Sequence, residues 1–318
     1  MSATELPSIV SNSTATAALV GNAGSNFWLF SPETGWDLTH PSSPEGSLPP
    51  ARRLTVTTTT APITIDPDKT ALIVIDMQNF FLSPAMGRSR GPGHEAEEVL
   101  LSTAFPAARE AGIRIVHVTW GISDEELAVL PPVLFRAFGY KQTTTDEDSE
   151  DHHDEKKGTK DVGHDLGSLK FPDGTTVAAG RMLMRGQWNT ALYGRLQKSF
   201  DDSQGTSMPQ RRFHKNRLSG FWAGSSDSRA LTGYLGEHHI TTLLFTGVNT
   251  DQCVLASLQD ACNLGFDTVL LRDGCGTTSP DYARLMVEYN ARKSWGFVSS
   301  CKDLAHGVKA AKGHALSL

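Results

Sequence analysis

The sequence has no apolar run of transmembrane length, which argues against a membrane-spanning helix. It has no surplus of basic charge either. Lys and Arg total 29 against 35 Asp and Glu, a net −6, so neither nucleic acid nor an anionic membrane is suggested as a partner. Cysteine is scarce. The four present, Cys253, Cys262, Cys275 and Cys301, fall in the last third without tight paired spacing. That argues against a disulfide framework or a structural zinc site and fits a reducing, cytoplasmic setting. The N-terminal stretch contains Glu5, no basic segment and only a short apolar run, a poor signal peptide. No internal repeat is visible. What remains is 318 residues of ordinary globular composition, 39% hydrophobic and 20% charged, enough for a large core.

Residues 1–65 read as an N-terminal extension laid on a main domain spanning 66–318. Residues 1–24 are rich in Ser, Thr and Ala and are expected to be mobile. Phe27, Trp28, Leu29, Phe30 and Trp36, around a Pro-Glu-Thr-Gly turn, predict a packed hairpin, and 52–65 reads as extended chain rich in β-branched residues. From residue 70 onward, apolar strand-like runs alternate with segments of helical periodicity. Pro106 predicts a break or kink in the first long helix, and Ser226 or Asp227 is the expected cap of a later helix over 225–239. The alternation predicts a three-layer α/β/α fold with a Rossmann-like, mostly parallel sheet, its site outside the carboxyl ends of the strands. A charge run at 141–161 reads as a solvated insert. It holds His152, His153 and Asp154, which could bind a metal, but nothing supplies a fixed geometry for them.

The stretch "TLLFTGVNTDQCVLASLQDACNLG" (242–265) asks why a buried strand stops at Gly-Val-Asn-Thr and then opens a helix with a cysteine. Cys253 lies near a helix N-terminus, where partial positive charge favours thiolate. The competing reading is that a free cysteine is a small buried hydrophobe. Two further residues stand at strand ends: Asp76, after "ALIVI", and Lys215, in a basic run with Arg211, Arg212 and Arg217. Each has a plainer reading, as a turn cap and as a surface lysine. Together the three make a nucleophile, a base for its proton and a cation for both. The Gly-Val-Asn-Thr turn would place backbone N–H groups around an attacked oxygen. Phe81, Trp120, Gln187 and Trp188 are weaker candidates for a pocket lining, each equally able to be structural. Cys262, Cys275 and Cys301 read as packing residues.

With "ALIVIDMQNFF", "RGQWNTAL", "FHKNRLSGFW" and "TGVNTDQCVLASLQDACNLGFDTVLLRDG" in this order, residues 70–300 resemble the isochorismatase-like cysteine hydrolases. These include nicotinamidases, N-carbamoylsarcosine amidases, ureidoacrylate amidases and biuret hydrolases. The resemblance implies Asp76, Lys215 and Cys253 as a catalytic triad. It also places the family's non-proline cis peptide at Val248–Asn249. Nicotinamidases carry an Asp-x-His metal motif just after the second strand. Here that place reads "HVTWGISDEE", so a metal-free site without cofactor is expected. Isochorismatases, which cleave a vinyl ether, generally lack the cysteine; its presence favours attack on a small amide, carbamoyl or ureide substrate. An isochorismatase-type vinyl ether hydrolase and a non-catalytic interaction protein of the same fold are the alternatives. A homo-oligomer of unspecified count is expected, because folds of this type leave apolar helix faces at the sheet edge.

Overall fold

The computed structural model describes residues 17–23, 25–42, 53–139 and 161–315. The charge run with His152, His153 and Asp154 lies outside the described residues, as do 1–16 of the N-terminal extension.

The extension is a small sheet. Strands β1 (Ala18–Asn22), β2 (Asn26–Ser31), β3 (Gly35–Asp37), β4 (Leu54–Val56) and β5 (Ile63–Ile65) are ordered β1-β2-β3-β5-β4. The aromatic hairpin is the β2–β3 pair. Two expectations are corrected. Residues 18–22 are not a mobile tail, because their backbone pairs antiparallel with β2 across five residue pairs. The 52–65 stretch is not one extended chain, because 54–56 folds back antiparallel on 63–65.

The main domain follows: β6 (Thr70–Ile75), α1 (Asn79–Leu82), α2 (Pro92–Val99), α3 (Phe105–Ala111), β7 (Arg114–Trp120), α4 (Asp124–Ala128) and α5 (Pro132–Ala137). After the short pair β8 (Ser168–Lys170) and β9 (Thr176–Ala178) come α6 (Gly194–Ser203), β10 (Arg211–Lys215) and α7 (Ser226–Glu237). The chain continues through β11 (Thr242–Val248), α8 (Leu255–Asn263), β12 (Asp267–Gly276), α9 (Asp281–Asn290), β13 (Phe297–Ser299) and α10 (Cys301–Ala315). Pro106 sits in the first turn of α3, and a π-turn at Leu100–Ala104 joins α2 to α3. The wider turn takes up the ring that an unbroken helix would refuse. The cap of α7 is Ser225, one residue earlier than expected, since its hydroxyl accepts the Ser228 N–H. Gly265, at φ +92, ends α8, with its N–H on Cys262 O and the Phe266 N–H on Ala261 O.

The six main strands are ordered β10-β7-β6-β11-β12-β13, and every neighbouring pair is parallel. Side chains alternate across the sheet. Ala71, Ile73 and Ile75 of β6 share a core with Leu231 and Leu235 of α7, Leu258 and Ala261 of α8, and Val287 of α9. Leu72 and Val74 face the other way, onto Ala96, Phe105 and Ala108 of α2 and α3, Leu304 and Val308 of α10, and Leu54, Val56, Ile63 and Ile65 of the small sheet. That gives three layers, with the extension sharing the second core. No residue of β6 is more than marginally exposed, and truncating Ile73 to Ala would cost about 2–5 kcal/mol. Asp267, buried at the start of β12, fixes the extension: it accepts from Trp28 Nε1 (2.7 Å) and Thr242 Oγ1 (2.9 Å) and pairs with His40 Nε2 (2.7 Å). Among the described residues no helix is long and apolar enough to cross a membrane.

Candidate active site

Strand order reverses between β6 and β11. Their neighbours on either side run outward in opposite directions, so a crevice opens at their carboxyl ends. Asp76 is the first residue after β6. It holds a left-handed backbone (φ 52), which costs a non-glycine residue about 1 kcal/mol, and its N–H donates to Val118 O at 3.0 Å. Across the crevice β11 runs closer to β6 than a side chain permits: a Cβ on Gly247 would lie 2.0 Å from Ile75 O. The register of β11 on β12 shifts between Phe245 and Gly247, and the Val248–Asn249 peptide that follows is cis. Thr250–Val254 then forms a π-turn leading into α8, and this turn carries Cys253. Lys215 ends β10, two strands away from Asp76, and returns across the end of β7. Its Nζ lies 3.8 Å from the centroid of the Trp120 ring.

The three side chains meet out of water. Lys215 Nζ is 3.0 Å from Asp76 Oδ2, an ionic approach without hydrogen-bond alignment, and it donates to Cys253 Sγ at 3.4 Å and to Arg217 O at 3.1 Å. Asp76 Oδ1 accepts the Trp120 backbone N–H at 3.1 Å. Burial raises the Asp76 pKa above the usual carboxylate range, opposed by the charge of Lys215 and by the hydrogen bond from the Trp120 N–H. The helix end's pull toward thiolate is opposed at Cys253. Burial pushes the Cys253 thiol up to about 12, and the neighbouring Asp76 carboxylate adds to this, while Lys215 pulls the other way. Desolvation outweighs both the helix end and the ammonium, which favours the neutral thiol.

The weaker candidates divide. Trp120 lies at the centre. Phe81 packs edge-on against Phe80 (4.9 Å) and Phe138 (6.5 Å), and Phe138 packs on Trp120 (4.9 Å), so these rings form one aromatic wall. The side chains of Gln187 and Trp188 make their contacts within the 171–188 loop, while the Trp188 carbonyl accepts from Asn79 Nδ2 at 2.9 Å. Gln187 Oε1 accepts the Arg181 N–H within its own loop, and the Trp188 ring meets Phe171 at 5.9 Å.

Three supports went unread in the sequence. Gln78 is buried, takes the Trp120 N–H on Oε1 (2.9 Å), and donates Nε2 to Trp120 O and Thr190 O (both 2.8 Å). It thereby fixes the backbone that holds Asp76. The signal was a polar residue two places beyond Asp76, at the mouth of an apolar run. Arg185 bridges Glu126 (2.8 Å) and Asp227 (2.6 Å), and Glu126 also accepts from Asn216, the neighbour of Lys215. Phe138 completes the aromatic wall, and no local pattern marks it.

Residues 70–300 match the family model described as the isochorismatase domain. A ureidoacrylate amidohydrolase RutB of Rhizobium rhizogenes is 26% identical over 254 residues, covering 79% of this chain and 87% of the relative. The protein of the same name from Caulobacter vibrioides strain CB 15 is 27% identical over 251 residues, with 76% and 92% covered. A solved cysteine hydrolase from Pseudomonas syringae pv. phaseolicola aligns with a TM-score of 0.54 at 15% identity, over 84% of this chain and 100% of that one, a likeness of fold.

Proposed function

The chain belongs to the isochorismatase family, and within it we propose that it hydrolyses a C–N bond of a small amide, carbamoyl or ureide substrate through a thioester on Cys253. One observation carries this reading: a carboxylate, an ammonium and a thiol converge in one buried site, with Lys215 Nζ 3.0 Å from Asp76 Oδ2 and 3.4 Å from Cys253 Sγ. The amidohydrolase relatives give it further support.

Asp76 takes the thiol proton as Sγ attacks the substrate carbonyl carbon. The resulting oxyanion is received by backbone N–H groups of the Asn249–Cys253 turn. Collapse breaks the C–N bond, and the leaving nitrogen collects the proton held by Asp76. Asp76 then accepts a proton from water as its oxygen attacks the thioester. The second collapse releases the acid, and the sulfur recovers its proton. Lys215 keeps its charge throughout, holding Asp76 ionised at the start and the sulfur anion when it forms. The aromatic wall of Phe80, Phe81, Phe138 and Trp120 gives the crevice an apolar side suited to a small planar substrate.

The test is ammonia release from a panel of small amides and ureides, ureidoacrylate among them, with isochorismate alongside, followed by intact mass after rapid acid quench. The reading requires an acyl adduct on wild type and a dead Cys253→Ala variant. Turnover surviving in Cys253→Ala with no adduct would reject it in favour of vinyl ether hydrolysis by Asp76.

A further inference from the structure

The outward face of α9 carries an apolar stripe. Tyr282, Leu285, Met286 and Tyr289 follow the i, i+3, i+4, i+7 spacing that sets four residues on one side of a helix. They are 74%, 51%, 42% and 48% exposed. Val287, and Ala291 just past the helix, point the other way and are buried in the core with Val254 and Leu258. The stripe is therefore not what docks α9 on its own sheet. Nor do charges beside it call for a partner: Arg284 is held by Glu288 at 2.5 Å and reaches Asp281 at 3.5 Å. Large apolar side chains gathered in one exposed patch mark a contact surface.

We propose that this stripe is the contact between two copies of the chain, their α9 helices packed antiparallel across a two-fold axis. Three observations favour a second copy over an unlike partner. The first is symmetry. A two-fold contact is isologous, so its patch has to complement itself. The stripe reads alike from both ends: about a midpoint between Leu285 and Met286, Tyr282 corresponds to Tyr289 and Leu285 to Met286. Antiparallel packing thus sets Tyr282 of one copy on Tyr289 of the other. The second is charge. Asp281, its side chain 89% exposed, opens the helix, and the exposed Arg292 and Lys293 follow its end. The same packing brings the acidic end of each copy beside the basic end of the other. The third is area. The four residues expose roughly 500 Å² per copy, over half of the about 800 Å² that one partner gives a standard interface. The surface lies behind the candidate site, since α9 packs on the turn that carries Cys253. The proposal does not depend on the thioester reading.

The full chain should sediment at micromolar concentration with an even multiple of the chain mass. Leu285→Glu combined with Met286→Glu puts like charges at the centre of the contact while changing only exposed side chains. It should halve the sedimenting mass and leave the near-UV circular dichroism as in wild type. A monomeric wild type overturns the proposal. If its Tyr282 and Tyr289 also resist iodination, another segment of the same chain covers the stripe; if they react freely, the stripe awaits an unlike partner. A wild-type mass indifferent to the two glutamates overturns it as well, by placing the interface on another face. The register is tested without those glutamates. Tyr282→Cys and Tyr289→Cys, mixed and mildly oxidised, should give a disulfide joining the two substituted positions across copies, located by peptide mapping. Neither variant oxidised alone should link to itself at its substituted position. Self-linking of either one, with no cross-link in the mixture, would overturn the antiparallel contact.

Discussion

The Lys215 ammonium stands 3.0 Å from Asp76 Oδ2, with both side chains withdrawn from water. Breaking such a pair leaves an uncompensated buried charge, a loss of about 3–5 kcal/mol. Lys215→Met should therefore lower the urea midpoint. It should also reduce turnover about 10²–10⁴-fold, and residual activity should move to higher pH, because Asp76 alone would hold its proton more tightly. Near wild-type turnover would make Lys215 a structural partner of Asp76 only.

Cys253→Ser offers a nucleophile of similar size but far lower acidity. The thiol already sits at about 12 through burial, and a hydroxyl in its place would lie beyond the reach of Asp76 as a base. Turnover should drop at least about a hundredfold. Steady-state assays at matched folding, judged by near-UV circular dichroism, would check it. Retained activity would show that proton transfer does not limit the reaction.

His117 predicts the acid limb of stability. It is enclosed by Phe105 and Phe200, donates Nε2–H to Gln210 Oε1 at 2.7 Å, and burial lowers its pKa to about 4. The unfolded chain takes up this proton near pH 6.5 and the folded chain only near pH 4. Between those values the unfolded state binds more protons, so stability falls as pH falls through that window. His214, lowered to about 4 mainly by burial, acts in the same direction. Urea midpoints at pH 7 and pH 4.5 should differ less in His117→Gln than in wild type. An equal difference would place the acid sensitivity elsewhere.

Asp267 predicts the attachment of the N-terminal sheet. Asp267→Ala strands the Trp28 N–H, the His40 ring and the Thr242 hydroxyl, at about 1–3 kcal/mol for each buried group left unpaired. Hydrogen exchange should quicken in β2 and β3 and remain slow in β6 and β11. Uniform protection would mean that the Trp28 and Trp36 contacts with Phe297 suffice.

The sequence alone determined what depends on near neighbours along the chain. The apolar runs before Asp76 and before the Gly-Val-Asn-Thr turn marked two parallel strands and their carboxyl ends, since a strand buried on both faces has to be apolar throughout. Gly265 marked the end of α8 because a left-handed residue there favours glycine. What only tertiary structure decided depends on partners far apart in the chain. Gln78 matters because Trp120 and Thr190, 42 and 112 residues away, arrive beside it. Trp120 looked like a pocket-lining residue, yet it became the floor of Lys215 because β10 lies beyond β7 in the sheet and the lysine has to cross it. The charge state of Cys253 depends on both. A helix start favours thiolate, a property readable from local pattern. Burial is set by every layer packed around the turn, and in a medium that solvates charge so poorly it outweighs the helix end and leaves the resting sulfur protonated.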